Sequence, residues 1–273
     1  MQTWLSYHIY PMETPDVFLA RAVRPFLEKY VWSTAGARAF FVRYEDEKGL
    51  HIRLRVRGEA GWLAETLQPA FVEHFEGRGE YERTIYLPEM ERFGGPEAMS
   101  WAEEYFHLST RVVLDRVNRP YTYGDAMFDA LRLHTVTVFG AGWTREKSAW
   151  YFGQLCDQWM TLFFKPAAES SPSDSQSPAE WREALKADFE QSFIPQQEEL
   201  RLAISELWTV LEKGEFDQSQ PEWLRWLRGN QMILPEFGEN LEKALPSLLH
   251  LTNNRLGINN QDEVYLNYLL AQV

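Results

Sequence analysis

The sequence predicts an α+β fold, and three observations carry that expectation. Over residues 1–95, runs of hydrophobic period two and runs of helical period follow one another as β-α-β-β-α-β. From Pro96 onward almost every periodic run is helical. Neither an internal repeat nor a heptad array interrupts this order. The β-α-β-β-α-β order is the split-βαβ, ferredoxin-like arrangement. The expected architecture is therefore a ferredoxin-like unit over 1–95 packed on a mostly helical part over 96–273, as one integrated domain.

Trp4 to Pro11 reads as the first strand. Asp16 to Tyr30 reads as a helix, with Thr14 as its cap before Pro15. Ala39 to Tyr44 is a second strand, Asp46 to Gly49 a turn, and His51 to Arg57 a third strand. Trp62 to Phe75 is the second helix, and Tyr81 to Leu87 the fourth strand, ended by Pro88. The helical part is expected to contain Met99 to Val117, Tyr123 to Phe139, Arg145 to Phe164, Pro178 to Leu211, Gln220 to Leu227, Phe237 to Leu251 and Gln261 to Ala271. The Ser/Pro/Ala-rich stretch between Pro166 and Pro178 has little to bury and is expected to be a mobile loop over 167–178.

Composition narrows the classes. A chain of 273 residues can bury a large core without disulfides or metals. The single cysteine, Cys156, lies in an aromatic helical run, where a core thiol is expected rather than a nucleophile. A net charge of −13 argues against a large nucleic-acid surface. The N-terminus lacks the regions of a signal peptide, and no apolar run approaches the ~18 residues that span a bilayer. A cytoplasmic protein without membrane insertion is expected. The 11 tryptophans suit a core or a peptide groove equally.

Three segments carry candidate chemistry. In His51-Ile52-Arg53-Leu54-Arg55-Val56-Arg57, strand alternation sends Ile52, Leu54 and Val56 to one face and His51, Arg53, Arg55 and Arg57 to the other, with Arg43 of the preceding strand expected to join them. Such a face is either a solvated outer surface or an anion pocket, for which the planar arginine fork is suited. Packing of the helical part over it would make it a cleft. In Tyr86-Leu87-Pro88-Glu89-Met90-Glu91-Arg92-Phe93-Gly94-Gly95, one helical turn brings Glu89 and Arg92 to one side, and Glu91 competes with Glu89 as the relevant carboxylate. Late in the chain, His250-Leu251-Thr252-Asn253-Asn254-Arg255-Leu256-Gly257 reads as a helix end with Gly257 as its cap. His107 and His134 also fall in helices with no local feature to single them out. There is no His-Glu-x-x-His, paired cysteine, phosphate loop or nucleophile elbow, so neither a metal nor an organic cofactor is expected.

In this order the segments resemble the C-terminal domain of class I lantibiotic dehydratases, which also occurs as separate thiopeptide-type bacteriocin biosynthesis proteins. The resemblance runs from Trp4–Tyr10 through Phe40-Phe41-Val42-Arg43-Tyr44, His51–Arg55, Tyr86–Glu89, Arg92–Gly95 and Ala102-Glu103-Glu104-Tyr105-Phe106 to His250–Arg255. It departs at Phe93, where the family often has Tyr. It implies a lyase that eliminates glutamate from glutamylated Ser or Thr of a ribosomally made precursor peptide. The catalytic set it implies is Arg53, Arg55, Glu89, Arg92 and His250, with Arg43, His51, Arg57, Asn254 and Arg255 as substrate-binding residues. Glu89 or His250 would be the base, the other its partner. The implied partners are the precursor peptide and a separate tRNA-dependent glutamylating protein, with homodimerisation open. Two further branches of the family form pyridine rings by [4+2] cycloaddition or add amino acids from aminoacyl-tRNA. The acidic balance argues against the latter, and the intact Glu89/His250 pair favours elimination over cycloaddition. A scaffold that only binds peptide is the alternative from another class, and it has no need of five matched site residues.

Overall fold

Apolar side chains at every second position of the N-terminal runs build one antiparallel sheet. The computed structural model describes residues 1–117, 121–163, 177–215 and 220–273. Its strands are β1 (Gln2–Pro11), β2 (Arg38–Asp46), β3 (Gly49–Glu59) and β4 (Gly79–Thr84), in the spatial order β2-β3-β1-β4. Helices α1 (residues 15–31) and α2 (residues 60–75) connect them, which completes the ferredoxin-like topology. Pro25 and Pro69 lack the N–H that would bond one turn back, and the helices widen into π turns at Leu19–Val23 and Leu63–Leu67 just upstream. Thr14 occupies the cap position of α1, but its side chain makes no capping hydrogen bond. One sheet face, with Leu5, Tyr7, Ile9, Ile52, Leu54 and Val56, is buried with Phe18, Phe26, Phe71 and Phe75 of these helices. Tyr7 stacks on Phe71 at 3.8 Å between ring centroids.

The fourth strand is shorter than expected. Its ladder with β1 ends at Ser6 and Thr84, and residues 85–89 leave the sheet, so that Tyr86 comes to rest edge-on to Trp4 and Phe40.

The rest is helical: α3 (Met90–Phe93), α4 (Pro96–Val117), α5 (Tyr123–Gly140), α6 (Arg145–Phe163), α7 (Pro178–Phe193), α8 (Gln197–Lys213), α9 (Pro221–Ile233), α10 (Leu241–Leu256) and α11 (Asn260–Gln272). The expected single helix from Pro178 to Leu211 is two, because Pro195 falls in a tight 3-10 turn, Ile194–Gln196, between α7 and α8. Helix α10 begins at Leu241 rather than Phe237, because Gly238 departs from helical geometry with φ 51°. Gly257 does end that helix, in the left-handed region with φ 84°. Residues 167–176 of the expected loop lie outside the described residues. Ser177 and Pro178 are not loop but the start of α7, where Ser177 and Glu180 form a reciprocal capping box.

The helical part grips the sheet by its edge. Strand β2 pairs with β3 on one side only, so its outward amides need other partners. The Ala39 amide donates to His107 Nδ1 at 3.0 Å and the Phe41 amide to Thr110 Oγ1 at 3.3 Å, both on α4. The Arg43 amide donates to Asn254 Oδ1 of α10 at 2.9 Å, and Asn254 Nδ2 donates to the Arg43 carbonyl at 2.9 Å. Cys156 is buried in α6, and burial pushes its thiol up to about 12, as a core thiol requires. Among the described residues, no helix is long and apolar enough to cross a membrane.

Candidate active site

Directly opposed residues of an antiparallel pair project to the same face. Trp4, Ser6 and His8 of β1 oppose Arg57, Arg55 and Arg53. Phe40, Val42 and Tyr44 of β2 oppose Arg55, Arg53 and His51. The second sheet face is therefore arginine and aromatic together, turned away from α1 and α2. A cavity of about 720 Å³ lies on it, walled by β2 and β3, the 86–93 segment, α4, the C-terminal half of α10 and residues 257–261. Arg53, Arg55, Glu89, Arg92 and His250 all line this one cavity.

The two arginines are held by rings rather than by carboxylates. The Arg53 guanidinium carbon lies 3.3 Å from the Tyr44 ring centroid, and its Nε donates to His51 Nε2 at 3.2 Å. The Arg55 guanidinium sits 4.5 Å from the Tyr86 ring and 5.3 Å from Phe40. Its buried Nε has no hydrogen-bond partner. Burial lowers the Arg55 pKa, with the Tyr86 hydroxyl opposing that shift. Among the described residues neither guanidinium is in an ion pair, so both present donors to the cavity.

Glu89 and Arg92 come from the segment that leaves β4. Gly94 caps α3 at φ 102°, and a Cβ there would lie 2.5 Å from Asn240 Cγ, so only glycine fits. The turn this allows sets Arg92 Nη1 3.0 Å from Glu89 Oε2 and Arg92 Nε 2.7 Å from Ser247 Oγ of α10. The Glu89 side chain is 68 % exposed. Glu91 is exposed and off the cavity, which separates the two carboxylates that spacing alone left level.

His250 is carried by α10, whose Pro246 cannot donate to the Glu242 carbonyl one turn back. The Tyr151 hydroxyl takes that carbonyl instead, at 3.4 Å. The His250 ring is stacked on Phe163 and edge-on to Trp159, both of α6. Its Nδ1 lies 3.1 and 3.0 Å from the two oxygens of Glu263, a carboxylate of α11 with no solvent exposure. Burial raises the Glu263 pKa, and the hydrogen bond from His250 opposes that rise. Sequence reasoning passed over Glu263 as one residue of a terminal helix. Its signal was a carboxylate on the buried stripe Glu263, Asn267, Leu270, at helical spacing. Tyr86 and Ser247 were likewise given no role.

The residues expected to bind substrate divide. Arg43 and Asn254 line the cavity rim but are engaged elsewhere. Arg43 opposes Ile52, so it projects from the opposite face to Arg53 and Arg55, contrary to expectation. At the sheet edge it bonds Asp16 at 2.5 Å and the Arg255 carbonyl at 3.0 Å. Asn254 is occupied with the β2 backbone. Three others are off the cavity. His51 is buried behind Arg53, with Nδ1 3.2 Å from the Gly49 carbonyl. Arg57 is tied to Glu103 at 3.2 Å and Glu104 at 2.6 Å of α4. Arg255 is fully buried, near Phe106 and Phe40, with one bond from Nη1 to the Leu251 carbonyl and none from Nε or Nη2. Among the described residues no cluster of His, Cys, Asp or Glu is arranged to hold a metal.

The arrangement brings an arginine-rich wall, a carboxylate–arginine pair and a histidine backed by a carboxylate around one space. Solved structures share the fold, among them three that match nearly the whole of this chain. The pyridine synthase TbtD from thiomuracin biosynthesis matches with TM-score 0.76 at 14 % identity, over 98 % of this chain and 96 % of that one. TsrL matches with TM-score 0.66 at 17 % identity, over 99 % and 93 %. The tRNA-dependent lantibiotic dehydratase MibB from Microbispora sp. 107891 matches with TM-score 0.61 at 19 % identity, over 98 % of this chain and 27 % of that one. No functionally curated protein matches the sequence. The description of the lantibiotic biosynthesis dehydratase C-terminal family matches residues 4–273. From Trp4 to the last residue, this chain belongs to that family.

Proposed function

We propose that the protein is a lyase that eliminates glutamate from glutamylated Ser or Thr in a precursor peptide. The observation that carries this reading is the convergence of Arg53, Arg55, Glu89, Arg92 and His250 on one cavity. In the substrate, glutamate esterifies the side-chain hydroxyl. His250 Nε2 removes the α-proton, the C–H electron pair becomes the Cα=Cβ bond, and the Cβ–O bond breaks with its electrons leaving on glutamate as a carboxylate. The leaving group is already good, so the barrier lies in the weakly acidic α-proton. Arg53 and Arg55 supply fixed positive charge for the developing enolate oxygen and for the carboxylates of glutamate. His250 takes the role of base in this reading because a buried carboxylate backs its ring, whereas the Glu89 side chain is largely exposed and engaged with Arg92. In this reading the Glu89–Arg92 pair orients the ester. The precursor peptide and a separate tRNA-dependent glutamylating protein are the proposed partners.

Cycloaddition is the second reading, because the fold match to the pyridine synthase extends over nearly the whole of both chains. Offering the purified protein a glutamyl-Ser peptide and, separately, a peptide with two dehydroalanines discriminates between the two. Elimination predicts that the first loses glutamate and becomes a dehydropeptide while the second is unchanged. Ring formation from the second peptide, with the first untouched, would establish the cyclase instead.

A further inference from the structure

The carboxylate behind His250 belongs to a longer chain of buried polar groups. Asn253, one turn along α10, faces the same Glu263 and acts to lower its pKa. Its Oδ1 lies 2.8 Å from Nε2 of His134 on α5. His134 is fully buried in the helical core, and burial pushes its pKa down to about 4, so it is neutral. A neutral imidazole next to an amide oxygen must donate to it, which fixes His134 as the Nε2–H form. Asn253 Oδ1 is thereby the acceptor, and the Asn253 NH₂ is left to donate to Glu263. His250 Nδ1 meets both Glu263 oxygens almost symmetrically, at 3.1 and 3.0 Å. Two donors from two sides then converge on one buried carboxylate, an arrangement that suits its ionised, acceptor-only form.

We infer that Glu263 is a positioning residue, held in place by Asn253 and His134, that keeps His250 in the Nδ1–H tautomer with Nε2 bare toward the cavity. This inference rests on the elimination reading for its catalytic consequence, but not for the tautomer itself. Trp159 and Phe163 restrain the ring from the α6 side. When Nε2 takes up the α-proton, the imidazolium faces an anion already in position, so little reorganisation accompanies the transfer. Neither Asn253 nor His134 lines the cavity, so both act through Glu263 and touch no substrate.

The test combines a spectroscopic and a kinetic measurement on the full chain. Imidazole ¹⁵N shifts of ¹⁵N-histidine-labelled protein, assigned with a His250→Asn variant, are expected to show His250 as the Nδ1–H form. A Glu263→Gln variant, which keeps the side chain's shape, is expected to disturb that tautomer. It should also lower kcat on the glutamyl-Ser peptide about a hundredfold with little change in KM, and Glu263→Asp should restore part of the loss. An Nε2–H tautomer in the unaltered protein overturns the inference whatever the activity proves to be. Full kcat in Glu263→Gln beside an inactive His250→Asn overturns it and leaves elimination standing. Absence of elimination in the unaltered protein, with the Nδ1–H tautomer observed, overturns the lyase reading and leaves the positioning role intact.

Discussion

Arg55 and Arg255 show the two ways a buried guanidinium is tolerated here. Arg55 opens onto the cavity with an unpartnered Nε. If it binds the anion of the reaction, Arg55→Ala should cut kcat/KM for elimination about 10²- to 10³-fold, the usual loss for one electrostatic donor, without lowering Tm. Undiminished elimination by this variant would remove Arg55 from the mechanism. Arg255 lies fully buried with two unpaired nitrogens, and burial pulls its pKa down to about 9. It is still charged at neutral pH, and among the described residues it has no carboxylate partner, only the Leu251 carbonyl and two rings, so the fold carries much of the desolvation cost of the cation. Arg255 and Arg55 are close enough to repel, so Arg255 adds positive potential beneath the cavity. Arg255→Met should therefore raise Tm by a few degrees, equivalent to about 1–2 kcal/mol, while elimination falls. A lower Tm would mean the charge stabilises the fold. The sequence showed the arginine types and their alternation, because alternation is a local property. It could not show that Arg57 meets Glu103 and Glu104, residues far along the chain, or that Arg43 bends round the sheet edge to Asp16.

At the scale of elements, the junction of sheet and helices is made by side chains that satisfy an edge strand. His107, Thr110 and Asn254 each take one amide of β2. Burial lowers the His107 pKa to about 4, as it does that of His134. A histidine depressed in the fold gives stability that is fully present above its unfolded value, 6.5, and is lost as pH falls from there toward about 4. Two such residues give an acid slope approaching about 2.7 kcal/mol per pH unit. Denaturant titrations between pH 7 and pH 4 should show this slope, and His107→Gln, which keeps an acceptor for the Ala39 amide, should remove close to half of it. An unchanged slope would place the acid sensitivity elsewhere. The strands and most helices were legible in periodicity, since each buries one face. The breaks at Pro195 and Gly238 were missed because a continuous apolar pattern masked the local backbone. The edge contacts were illegible for a different reason, since 211 residues separate Arg43 from Asn254.

At the scale of the whole molecule, the ferredoxin-like unit supplies the arginine wall and the helical part supplies His250 with its buried support. The cavity exists only where the two meet. Glu263 shows why resemblance and pattern stopped short. Its neighbours in sequence identify a helix, and only the packing of α11 against α10 gives it a partner. Under the proposed elimination, this cavity breaks a Cα–H and a Cβ–O bond in one net reaction. The decisive comparison is glutamate release from a glutamyl-Ser peptide against release from the same peptide deuterated at the serine α-carbon. Slower release from the deuterated peptide, with a dehydroalanine in the product, is the expected result. Equal release with serine restored would mean ester hydrolysis in place of elimination.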